Sequence, residues 1–135
     1  MNPSLLNTKS VTLLIGDTLI LGLVTLIGFA SHGTLTSGGW RILVNFFSFA
    51  AAWLIAAYAL NLFHMSFFLD WKRVLQILWA VLLAAPLAGW LRGLWLGRPS
   101  EMVFVAVMGA VSALGLLVWR FSYSIWTGRK RQLNG

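Results

Sequence analysis

Four long apolar runs take up most of this chain, and they leave it few ways to fold. They cover residues 11–30, 42–63, 74–97 and 102–126. Each matches or exceeds the ~20 residues that cross a bilayer as helix. In hydrocarbon the backbone must satisfy its own N–H and C=O groups, and a helix does so within each segment. With 135 residues, 59% of them hydrophobic and 10% charged, no length remains for a soluble domain. The expected fold is all-α and integral to the membrane. It is a single domain over 1–135, with four transmembrane helices in an antiparallel up-down bundle joined by short connectors.

The charge pattern orients this arrangement. A net charge of +7 would suggest nucleic acid as the partner of a soluble protein. Here the bases flank membrane segments, where they set topology, and nucleic acid is not an expected partner. Four spans place both termini on one side. That side carries Lys9, Lys72, Arg73, Arg129, Lys130 and Arg131, whereas Arg41 and Arg98 lie on the other. The positive-inside rule then puts both termini in the cytoplasm. Aromatic rings follow the same geometry, with Trp71, Tyr123 and Trp126 at the inner interface and Trp40, Trp90 and Trp95 toward the outer one. Trp53, Trp79 and Trp119 fall deeper and need packing or a ligand. Lys9 followed by an apolar stretch and Gly28-Phe29-Ala30 loosely mimics a cleaved secretory signal, but the length of the stretch and Asp17 within it weigh against one. Cysteine is absent, which excludes disulfides, iron–sulfur clusters and thiol chemistry.

Residues 33–39 are rich in glycine and read as a flexible external loop. Small residues at helical spacing supply faces for close packing in lipid: Ser48, Ala52 and Ala56; Ala80, Ala84 and Ala88; Ala106, Gly109 and Ala113. Pro86 falls in the middle of the third span, where it removes a backbone bond and should bend the helix.

Asp17 is the only acidic residue inside the runs, and an ionisable group at that depth marks a candidate site. It lies six residues past the inner end of its run, about 9 Å deep, and Arg120 lies at the same depth in the fourth run. Both share helical faces with small residues that should point inward, so a buried Asp17–Arg120 ion pair is expected. Such a pair is either a structural tie or a working site for protons or ions. The remaining alternative is that Arg120 snorkels toward lipid. On the outer side Arg92, Arg98, Arg41 and His32 face a single acid, Glu101. That imbalance suits an anionic partner such as a lipid phosphate, although Arg92 could equally snorkel to the headgroups. His32 and His64 are the only residues that could ligate a metal or pigment through nitrogen. They flank the second span on opposite faces, so no shared metal site is expected, and each could at most bind a separate pigment. No Ser/His/Asp set, carboxylate pair, phosphate loop or HExxH pattern is present, so the residues point to no enzyme reaction.

Taken in order, Gly16-Asp17, Ile27-Gly28, Ser31-His32-Gly33, Pro86-Leu87 before Arg92, Phe104-Val105 and Trp119-Arg120 resemble a prokaryotic membrane-protein family catalogued as domain of unknown function 3054. The resemblance covers about residues 11–120. It implies four transmembrane helices, a prokaryotic cell (inner) membrane and no established activity, and it makes Asp17, His32, Arg92 and Arg120 the positions to watch. The first external loop is short for the pattern. The leading expectation is an accessory or assembly component of the membrane, acting through lipid, pigment or protein contacts, in a larger complex or as a homo-oligomer. No cofactor is required. The alternative is a small transporter or channel working as an oligomer, because one four-helix unit is thin for alternating access. An enzyme of lipid or isoprenoid metabolism ranks third. A water-filled cavity reaching Asp17 favours transport, whereas a dry interior with an apolar outer groove favours the accessory role.

Overall fold

The computed structural model describes residues 8–63 and 71–135, and no strand occurs among them. Four helices carry the fold: α1 (Thr8–Ser31), α2 (Trp40–Ala59), α3 (Trp71–Leu96) and α4 (Met102–Leu133). All four are long and apolar enough to cross a membrane. Their lengths of 24, 20, 26 and 32 residues correspond to roughly 30–48 Å, against a hydrocarbon core of ~30 Å.

The helix ends differ from the hydropathy boundaries for local reasons. α2 stops at Ala59 rather than at 63, because Asn61 takes a left-handed conformation (φ 56°). The Asn61 N–H then donates to Tyr58 O at 3.0 Å and the Leu62 N–H to Ala57 O at 2.9 Å, a Schellman closure that satisfies the last carbonyls. Gly33 closes α1 in the same way, with its own N–H on Ala30 O and that of Thr34 on Phe29 O. α4 continues past 126 to Leu133, with Lys130 and Arg131 in its last turn, where cations favour the negative helix end. Ser10, in the first turn of α1, donates its hydroxyl to Phe63 O at 2.9 Å. α3 stays helical through Pro86.

Each helix touches its neighbour in the chain, and α1 also touches α4, so the contacts close into a ring. Along the α1–α4 seam Asp17 meets Arg120, Ile20 faces Gly115 and Gly28 faces Met108. Numbers rise along one helix as they fall along the other, so the seam is antiparallel. Ala52, Ala56 and Ala57 of α2 and Ala80, Ala84 and Ala88 of α3 are all buried, and these two helices make the most extensive contact. Small side chains let backbones approach closely, which is what drives association when lipid is as apolar as the helices themselves. Leu21, Phe49, Trp53, Ile77 and Leu116 fill the interior. Outside, Ile15, Leu19, Leu23 and Ile27 of α1 are all more than half exposed, as expected for a face whose solvent is lipid. Trp40, Trp71, Trp90, Trp95 and Trp126 are exposed as well.

Candidate functional site

The deepest polar cluster is assembled from three helices. α1 presents Asp17, which is 0% exposed, and α4 presents Arg120, which is 2% exposed. The guanidinium approaches side-on: Nε donates to Oδ1 at 3.2 Å and Nη2 to Oδ2 at 2.5 Å. This two-point geometry is the strong form of the arginine–carboxylate contact. From α2, the Trp53 indole Nε1 donates to the same Oδ2 at 3.1 Å. The remaining arm of Arg120, Nη1, donates to the Leu62 carbonyl at 2.9 Å, just past the Schellman turn of α2. Phe63 and Trp53 rings lie 5.7 and 5.9 Å from the guanidinium carbon. Both charges are therefore paired and hydrogen-bonded, which an ion pair removed from water requires.

The residues preceding each charge also fit together. Trp119 lies directly over Gly16, where any Cβ would overlap its six-membered ring. Its Nε1 is buried and has no hydrogen-bond partner among the described residues, although it neighbours the Asp17 carboxylate. Trp119 thus acts as a lid on the ion pair rather than as a further strong donor. Chemically the cluster is enclosed. Each carboxylate oxygen already accepts a bond, and neither side chain is more than 2% exposed.

A second polar cluster lies at the other end of the fold. Arg92 Nη1 donates to Ser100 Oγ at 3.0 Å, and that hydroxyl donates in turn to Gly89 O at 3.0 Å. The Arg92 guanidinium also sits 4.4 Å above the Phe104 ring, a cation–π contact. Its charged neighbours are Arg98 and Arg41, both exposed, and the exposed Glu101 forms no ion pair among the described residues. Arg92 is thus half-buried and held by a neutral hydroxyl and a ring. His32 is exposed at the end of α1. His64 lies outside the described residues. Among those residues no three His, Cys, Asp or Glu side chains come together as a metal site.

The third feature is an outward-facing groove of about 1010 Å³ between α3 and α4. Leu82, Pro86, Trp90 and Leu94 form one wall, Ala106 and Ala110 the other, and Arg98 stands at one end. It does not reach Asp17.

Sequence reasoning placed Trp53 deep without giving it a partner, and it did not find the Leu62 carbonyl, Ser100 or the groove. A backbone acceptor leaves no mark in sequence. The Gly89 and Gly93 spacing was the available sign of close approach at this end, where Gly89 meets the Val105 side chain and Gly93 the Arg98 carbonyl.

Four apolar helices gathered around a buried ion pair describe a membrane protein of the multi-pass kind. Residues 14–123 match the family described as protein of unknown function (DUF3054), and the chain belongs to that family. No curated protein and no solved structure matches it.

Proposed function

We propose that this chain is an accessory or assembly component of a prokaryotic cell (inner) membrane, with both termini in the cytoplasm, working through lateral contacts with lipid or protein. One observation carries the reading: the only acid in the spans is fully enclosed, at 0% exposure against an arginine at 2%, while the large groove faces outward and is lined by apolar side chains. A carrier needs its intramembrane charge to meet water or a permeant ion at some stage. Here the acid accepts three hydrogen bonds, from α2 and α4, and its arginine donates a fourth to Leu62 O.

The test is a flux measurement on the purified chain in proteoliposomes, with a proton or cation gradient imposed. Leak indistinguishable from empty vesicles, together with lipid or protein retained through mild-detergent purification, supports the accessory role. Flux that disappears in Asp17→Asn overturns it in favour of transport.

A further inference from the structure

The groove between α3 and α4 has a chemistry that narrows its occupant. Its α4 wall runs from Met102 to Ala113, roughly 17 Å at ~1.5 Å per residue, close to half of a ~30 Å hydrocarbon core. The α3 wall reaches farther, back to Leu78, so the groove has two walls only over about the depth of one leaflet. A transmembrane helix would need the whole thickness. The glycines at four-residue spacing do not present a helix-pairing face either, because Gly89 and Gly93 are occupied within the chain and Gly97 lies past the end of α3. A Cβ at Gly89 would lie 2.7 Å from Val105, one at Gly93 would lie 3.2 Å from the Arg98 carbonyl, and Gly97 holds a φ of +67°.

What remains is a one-leaflet apolar slot with large residues on one wall and alanines on the other, ending at a cation. Arg98 lines that end, and Arg92, whose charged neighbours are Arg98 and Arg41, lies behind Ser100. Glu101 supplies the single negative charge nearby, and Ser100, also in the lining, ties Arg92 to the groove through its hydroxyl. An apolar channel beneath a surplus of guanidinium groups is complementary to an acyl chain beneath a phosphate.

We infer that the α3–α4 groove seats one acyl chain of an anionic glycerophospholipid, whose phosphate is held by Arg98 with Arg41 and Arg92 contributing to the field. The inference deepens the accessory reading and rests on it. It differs from general annular contact in predicting selectivity by headgroup and occupancy at one place.

The experiment is native mass spectrometry of the full chain in mild detergent, with phosphatidylglycerol and phosphatidylcholine of identical acyl chains offered together. One phosphatidylglycerol should be retained in preference. Arg98→Gln should weaken that retention about fivefold, the share of one basic residue at a membrane surface. Ala110→Phe, which fills the groove from an exposed position, should abolish it with melting behaviour unchanged. Ala106→Leu offers a milder filling if that variant misfolds. Equal retention of the two lipids, or retention indifferent to Arg98→Gln and to groove filling, overturns the proposal. So does a homodimer that Ala110→Phe splits without loss of lipid, since the groove would then belong to a second copy. The flux measurement is independent of these outcomes, so the two readings fail separately.

Discussion

Gly16 lies flat against the indole ring of Trp119, one position before each partner of the buried ion pair, so that two adjacent residues of α1 mate with two adjacent residues of α4. Packing and charge are thereby locked to the same register. A side chain at 16 would displace the ring and with it the lid over Asp17. Gly16→Ala is expected to destabilise the protein by ~1–3 kcal/mol, the usual range for overpacking. The double variant Gly16→Ala with Trp119→Leu should lose less than the sum of the two single changes. Thermal unfolding in detergent measures this, and strict additivity would show that the contact does not govern the seam.

Asp17→Asn and Arg120→Gln should each cost about 3–5 kcal/mol, because the remaining charge is left buried without its partner. Exchanging the two charges between positions should restore part of the loss. Trp53→Phe removes one donor to an ionised acceptor and should cost about 1.5–3 kcal/mol. A denaturant titration that leaves any of the three within 0.5 kcal/mol of the parent protein, a rough floor for surface changes, would mean that the cluster contributes nothing to stability.

At the opposite end, Ser100 accepts from Arg92 and donates to Gly89 O, so Ser100→Ala should release the guanidinium from its hydroxyl partner and remove the second bond to a helical carbonyl. The expected cost is about 1–3 kcal/mol. Hydrogen exchange should rise around residues 97–101 before it rises elsewhere. Unchanged exchange there would place the stability of this corner in Phe104 and the glycine contacts instead.

Topology is testable without background because the chain contains no cysteine. A cysteine at Ser37 should react with an impermeant reagent from outside the cell, and one at Gln132 only after the membrane is opened. The reverse pattern would invert the orientation proposed from the flanking bases.

Much of this arrangement could be read from residues alone, and the exceptions have physical causes. Asp17 and Arg120 stand out because charge is rare at that depth, and counting turns from the two inner ends puts them level. Trp53 is harder to see, since its ring scores as one more apolar residue until its N–H finds an acceptor. The Leu62 carbonyl exists in every sequence and becomes an acceptor only because Asn61 turns the chain. α4 overshoots its apolar run because hydropathy ends where lipid would end, while helical hydrogen bonding continues into water. The groove is an absence between two helices, set by where α3 and α4 meet rather than by any one residue.

The ion pair joins residues 103 positions apart, and this separation bears on how the protein is made. Asp17 leaves the ribosome with the first helix and Arg120 with the last. Until the final segment enters the bilayer, the nascent protein carries an acid without its arginine, and a carboxyl left alone in hydrocarbon takes up a proton instead of staying charged. Three inserted helices thus lack one partner of the pair, and arrival of the fourth supplies it while clasping the end of the second through Leu62. A chain cut short before Arg120 leaves Asp17 without its partner and the Leu62 carbonyl without that donor.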